Sequence, residues 1–138
     1  MLAKGIQEVD GGQHLITCHR CGPGQSSFQV HTEGWLDFNM NQSSQAARNH
    51  DTGLFIARDY ALTPVKPTLD GEPRYESIPF GFYFKNVDNF NRFDDFDARQ
   101  AAYWSLMAGP WGHTYGNNNI WQMWSPKHDG VFGAIIPW

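Results

Sequence analysis

With 138 residues, a formal net charge of -4 and only 17% charged side chains, the chain is long enough for one domain with a core of its own and too short for two. No Lys/Arg run offers a nucleic-acid footprint, no stretch approaches the roughly 18 apolar residues of a membrane span, and no G-x-G-x-x-G or P-loop follows a strand pattern, which sets aside a small doubly wound nucleotide or redox domain. What the composition does supply is flat apolar surface, in six Trp, five Tyr and ten Phe, suited to a core or to a cleft that stacks on the C–H faces of sugars.

The first residues, MLAKGIQEVDGG, lack the apolar core of a secretory signal. Leu2, Ile6 and Val9 fall at helical spacing and Gly11-Gly12 close the pattern, so the chain is expected to open in mid-helix and to lack its beginning. His14 to His19, HLITCH, is β-prone and runs into the glycine-rich loop Arg20 to Ser27. The only cysteines, Cys18 and Cys21, form a C-x-x-C. A thioredoxin-type pair needs a helix straight after it, and GPGQSS follows; a zinc site needs two more ligands, and His14, His19 and His31 lack the usual spacing. Cys18 therefore reads as a strand residue and Cys21 as a loop residue.

A second strand is expected over Trp35 to Gln42, then a helix over Gln45 to Leu62 with apolar positions at Leu54, Ala57 and Ala61 and a weak point at Gly53. Thr63-Pro64 leads to the next strand, KPTLDGEPRYE. Lys66-Pro67 starts an extended run and Gly71 and Pro73 break the ladder on either side of Glu72. A carboxylate there is anchored by a strand end and still open to a ligand. Asp70 and Glu72 are expected on one face, about 6–7 Å apart. Ile78 to Phe93 reads as a long aromatic loop, of a length that is usually functional. Asp94 or Asp95 caps the best-marked helix, Asp97 suits its dipole, Ala101, Trp104 and Ala108 form its core stripe, and Gly109-Pro110 ends it. Gly112 to Gly116, GHTYG, reads as a short strand with His113 and Tyr115 on one face, and the tail carries no final helix.

This order predicts an α/β fold with a parallel sheet, in which ligands bind outside the carboxyl ends of the strands. His19, Gln42, Glu72, His113 and Tyr115 are then expected on one rim. Each also has a plainer reading: Glu72 as a solvated acid in a turn, the two histidines as hydrogen-bonded structural residues, Gln42 as a loop cap, Tyr115 as packing.

HLITCHRCGPGQSS, WLDFNMNQSS, KPTLDGEPRYE, DARQAAYWSLMAG and GHTYGNNNIWQ, in this order, resemble the second half of the apiosidase-like family of glycoside hydrolases. The resemblance covers about Ile6 to Gln122. It implies a partial (β/α)8 TIM barrel, about strands five to eight with their helices, since a complete barrel takes about 250 residues, and hence a single domain over 1–138 that is the C-terminal half of the catalytic domain. It further implies hydrolysis of plant-type polysaccharide or oligosaccharide by a retaining, two-carboxylate mechanism, in a secreted or periplasmic bacterial protein. Glu72 matches the nucleophile, and His19, Gln42, Tyr75, Glu76, His113 and Tyr115 are the expected substrate residues; no metal or other cofactor is implied.

The partner acid of that family lies at the end of the fourth strand, in a motif preceding anything present here. Asp37 lies within a predicted strand, Asp70 is on the nucleophile's own strand, and Glu76 is four residues past it, so none matches by position. Ser44-Gln45 also stands where the family usually shows Gly-His. The alternative to an enzyme is a carbohydrate-binding or scaffold fragment without the acid/base. A half-barrel has open strand edges, so the expected partners, besides carbohydrate, are a second copy or a missing N-terminal half-barrel, with no nucleic acid and no membrane.

Overall fold

The structure, a computed structural model, describes residues 2–43, 45, 47–81 and 91–127. Among them are five helices, α1 (Leu2–Asp10), α2 (Ser27–Val30), α3 (Gly53–Tyr60), α4 (Asp95–Met107) and α5 (Asn118–Trp121), and four strands, β1 (Gly24–Gln25), β2 (Asn39–Gln42), β3 (Thr68–Asp70) and β4 (Gly112–His113). The fold is mixed α/β, with one sheet in the order β1-β2-β3-β4. β2, β3 and β4 run parallel, with Asn41, Asp70 and His113 side by side in register, whereas β1 is antiparallel to β2. No helix among the described residues is long and apolar enough to cross a membrane.

The two faces of the sheet differ in kind. Asn39, Asn41, Thr68 and Asp70 alternate onto the covered face and are fully buried, while Met40, Gln42 and Leu69 point the other way and are half-buried. Buried polar groups need partners, and α3 supplies the central one: Asp59 accepts from Thr68 Oγ1 at 2.6 Å and from Gln25 Nε2 at 2.8 Å, and Asn41 Nδ2 donates to Thr68 Oγ1 at 3.0 Å. Around this network pack Phe55 and Ile56 of α3 and Ala98 and Ala101 of α4. Burying Ile56 completely contributes about 1.5–3 kcal/mol.

Several expected elements move. His14 to His19 is not a strand. Its main chain is engaged by a side chain instead of a ladder, with Ile16 N donating to Asp37 Oδ2 at 2.7 Å, Asp37 N to Ile16 O at 2.9 Å, and Thr17 Oγ1 to Phe38 O at 2.7 Å. The first strand forms in the glycine-rich loop, where a Cβ on Gly24 would lie 2.4 Å from Cys21 O. Cys18 is thus not a strand residue; it is half-buried, Cys21 is exposed, and both are free thiols.

The second strand shortens to β2. The next helix starts at Gly53, so that glycine is its first residue and not its weak middle. Leu54, Ala57 and Ala61 are exposed, and α3 buries Phe55, Ile56 and Asp59. On α1 the apolar Leu2, Ile6 and Val9 are likewise exposed, and only Ala3 is buried.

The cap expected for α4 is present, but of its expected stripe only Ala101 is buried, with Trp104 and Ala108 half-buried. Asp94 Oδ1 accepts from Asp97 N at 2.9 Å and Asp97 Oδ2 from Asp94 N at 3.0 Å, a reciprocal capping box. Arg48 Nη1 adds an ion pair to Asp97 at 2.9 Å. Ala101 is fully buried, and Trp104 lies half-buried beneath the guanidinium of Arg74, 5.5 Å from ring centroid to Cζ.

The two ends of the Ile78 to Phe93 stretch pair with each other through Phe93 N to Ile78 O at 3.2 Å and Phe80 N to Asn91 O at 2.8 Å; residues 82–90 lie outside the described ones. The GHTYG strand is only Gly112–His113, because Thr114 N turns onto Asp70 O at 3.0 Å. Contrary to expectation a short helix, α5, follows, capped by Asn117 accepting from Asn119 N and Ile120 N; residues 128–138 lie outside the described ones.

Candidate active site

Glu72 stands two residues beyond the end of β3, the strand between β2 and β4. Its position is set by main-chain bonds to the neighbouring strand: Gly71 N and Glu72 N both donate to Asn41 O, at 2.9 and 3.1 Å, and Ser43 N donates to Glu72 O at 3.1 Å. The side chain keeps 21% of its surface exposed. Its carboxylate is met from three directions. Gln42 Nε2 donates to Oε1 at 2.8 Å, Gln45 Nε2 to the same oxygen at 3.2 Å, and His19 Nε2 lies 3.1 Å from Oε2. His19 and Gln42 were both expected here.

Gln45 was not, because the sequence places it at the start of a helix. A usable signal existed, since Gln45 follows only three residues after the strand-end Gln42.

Tyr75 follows in the same loop. Its ring lies so close over Gly116 that a Cβ there would stand 2.2 Å from Tyr75 Cδ1, and it meets Trp121 edge-on with centroids 6.4 Å apart. Burial, and then the negative charge of Glu72, push the Tyr75 phenol above its usual range.

The other three expected residues form a second group. His113 is 10% exposed and lies with Nδ1 3.3 Å from Asp70 Oδ2, and among the described residues neither Asp70 oxygen accepts a hydrogen bond. Asp70 shares its face with Thr68, which bonds α3, so this pair belongs to the helix-covered side of the sheet. Glu76 is held by its main chain, Glu76 N to Gly116 O at 2.9 Å and Asn118 N to Glu76 O at 2.8 Å. Its Oε2 accepts from Tyr115 Oη at 2.6 Å. Tyr115, exposed, has its phenol pushed up by burial and then by that bond. Glu76, His113 and Tyr115 line a cleft of about 190 Å³ against Ala98, Arg99 and Ala102 of α4.

The expected single rim is thus two clusters, with Tyr75 beside the first. Asp70 and Glu72, expected on one face, have unlike surroundings: one is wholly buried beside His113, the other open at the strand end. Asp37, weighed as an acid, is spent on Ile16 N. Among the described residues no group of three or more His, Cys, Asp or Glu side chains is placed to hold a metal ion.

A carboxylate at the mouth of a parallel sheet, held by two amide donors beside an imidazole and still partly open, can serve as a nucleophile or as a hydrogen-bond acceptor for sugar hydroxyls. Solved structures of glycoside hydrolases resemble the chain. One, described as a glycoside hydrolase, superposes with a TM-score of 0.87 at 38% identity over 99% of this chain and 33% of its own. Another, a glycoside hydrolase family 5 protein from Bacteroides vulgatus ATCC 8482, gives a TM-score of 0.85 at 39% identity over 96% of this chain and 30% of its own. The chain spans about a third of the length of these relatives. A search of curated proteins gives no match. The family model described as "Apiosidase-like, catalytic domain" matches residues 1–138, and the chain belongs to that family of glycoside hydrolase-like proteins.

Proposed function

We propose that this chain is the nucleophile half of a retaining glycoside hydrolase acting on plant-type polysaccharide or oligosaccharide. The observation that carries the reading is the Glu72 carboxylate, held at 2.8–3.2 Å by Gln42, Gln45 and His19 at the carboxyl end of β3. On this reading β2, β3 and β4 take the places of the sixth, seventh and eighth strands of a (β/α)8 barrel, and residues 1–138 are the C-terminal half of its catalytic domain. Glu72 attacks the anomeric carbon as the glycosidic bond to the leaving oxygen breaks. A second carboxyl group, about 5–5.5 Å away in such enzymes, protonates that oxygen and then takes a proton from the water that hydrolyses the glycosyl ester. This second group comes from outside these residues, from the preceding half-barrel or from a second copy.

Incubation with a panel of 2-deoxy-2-fluoro aryl glycosides, followed by peptide mass spectrometry, tests the reading. The expected result is a glycosyl adduct on Glu72, together with a loss of about a thousandfold or more in aryl glycoside turnover in Glu72→Gln. An adduct on any other carboxylate overturns the assignment.

A second reading, carbohydrate binding without hydrolysis, is favoured by one observation: the two acids closest in sequence to Glu72 have partners of their own, Asp70 buried beside His113 and Glu76 bonded to the Tyr115 hydroxyl. It predicts sugar binding with no turnover and no adduct. Sedimentation separates the two sources of the second acid, because a homodimer requires self-association and a monodisperse monomer counts against it.

A further inference from the structure

The two oxygens of Glu72 have unlike partners. Oε1 is met by two neutral amides, Gln42 and Gln45, and Oε2 by the imidazole of His19, a side chain 42% exposed. Gln45 differs from Gln42 in two ways. It is 2% exposed, and its Nε2 also donates to Pro73 O at 3.1 Å. One planar amide with two N–H donors therefore spans a carboxylate oxygen of Glu72 and the main chain immediately after it. This fixes the roll of the side chain relative to its own backbone. The main-chain oxygen of Gln45 in turn accepts from Gly81 N at 3.1 Å, which ties the clamp to the turn beyond Ile78.

Resting on the reading of Glu72 as nucleophile, we infer that Gln45 is a positioning residue: it saturates Oε1 and rolls the carboxylate so that Oε2, on the open side shared with His19, is the oxygen delivered to the anomeric carbon. The residue type suits the task. An amide donates at every pH at which the carboxylate is charged and adds no positive charge to damp its nucleophilicity, whereas a histidine at this position would gain and lose a proton near neutrality. Misaligning an attacking atom is costly, because much of the rate of a bound reaction comes from orientation.

The test needs no turnover. In the 138-residue chain, Gln45→Met keeps the length and burial of the side chain and removes both donors. The expected result is movement of the Gln42 side-chain amide signals and the His19 ring signals in heteronuclear NMR spectra, while backbone amide signals away from residues 42–45 and 72–73 stay in place. A folded Gln45→Met with unmoved Gln42 and His19 signals overturns the proposal.

Should Gln45→Met fail to fold, Gln45→His decides. It retains an N–H donor, and in a His19→Asn background, which removes the other imidazole beside Glu72, the Gln42 amide shift is expected to gain a pH inflection that the His19→Asn chain alone does not show; absence of that inflection overturns the proposal. Where the parent turns over an aryl glycoside, Gln45→Met is expected to lower kcat about tenfold with KM within about twofold; a rise in KM with kcat unchanged contradicts a positioning role. A parent that forms no Glu72 adduct removes the reading of Glu72 as nucleophile, and the NMR result still decides what orients the carboxylate.

Discussion

Asp70 and Glu72 sit two residues apart on the same short stretch and have opposite surroundings. Asp70 is inside the ladder, wholly buried on the helix-covered face, with His113 3.3 Å away and no hydrogen bond to either oxygen. Glu72 is just past the ladder, 21% exposed, with Gln42 and Gln45 donating to Oε1 and the His19 ring 3.1 Å from Oε2. A buried carboxylate without hydrogen bonds depends on nearby opposite charge to offset its desolvation, whereas a partly solvated one that accepts from two amides depends on it far less. The first carboxylate is therefore enclosed in the fold and the second is open to a ligand, although a sequence shows only two acids in D-G-E.

The largest expected effect follows from the buried side. Asp70→Ala opens a gap beside His113 and removes one of the carboxylates whose charge acts on the buried Arg74, and is expected to cost about 3 kcal/mol. Glu72→Ala is expected to cost less than about 1 kcal/mol. Urea unfolding with unchanged m-values measures both, and the reverse order breaks the comparison.

Arg74 sharpens it. The side chain is 1% exposed, donates to the carbonyls of Arg48 and His50 and to Gln100, and lies over Trp104. Burial lowers its pKa, and the charges of Asp97 and then Asp70 act against that fall. Arg74→Met fills the space but leaves the carbonyls unpaired, at an expected cost of about 2 kcal/mol.

How much of this could be read beforehand differs along the same line. The Glu72 site was legible because its signals are local: proline and glycine bracket the strand end, and His19 and Gln42 reach it from segments whose ends are also marked. The α4 capping box was legible for the same reason. The polar layer under the sheet was not, because it joins Gln25, Asn41, Asp59 and Thr68 across long sequence separations. Asn-Met-Asn-Gln at β2 looks like any alternating strand until Asp59 of α3 is placed beneath it. His14 to His19 misled because β-branched residues at Ile16 and Thr17 say nothing of whether a ladder partner is free, and here the Asp37 side chain takes the Ile16 amide. His113 misled by its motif position: its place in β4 was right, but the register beside Asp70 turned it to the covered face.

A smaller effect concerns pH at His50, which packs against Phe55. Burial, and then the charge of Arg74, hold His50 below the ordinary imidazole value of 6.5; Arg58 acts the same way and Asp51 opposes it. As pH falls through about 6.5 the unfolded chain takes up a proton that the folded chain declines, so stability is present above that pH and falls with acid. His50→Phe keeps the ring against Phe55, now 5.1 Å between centroids, and removes the titration. Unfolding midpoints between about pH 7 and pH 5 should drop less in the variant than in the parent. Parallel curves would place the acid sensitivity elsewhere.

The smallest effect reads the open side directly. Tyr75 and Tyr115 both have raised phenol pKa values, each first through burial, but their charged neighbours differ: Glu72 for Tyr75, and Glu76, through its hydrogen bond, for Tyr115. Removing the Glu72 charge relieves a repulsion felt by the Tyr75 phenolate and leaves the Tyr115 bond intact. In an alkaline titration followed by tyrosinate absorbance, with Tyr75→Phe and Tyr115→Phe assigning the two steps, Glu72→Gln should lower the Tyr75 midpoint and leave that of Tyr115 in place. Because the folded phenol ionises after the unfolded one, this group contributes stability below about pH 10 that is lost as pH rises further, and Glu72→Gln should lessen that alkaline loss. If instead both midpoints shift together, Glu72 and Glu76 act on one electrostatic site, and the division of the candidate residues into two clusters fails.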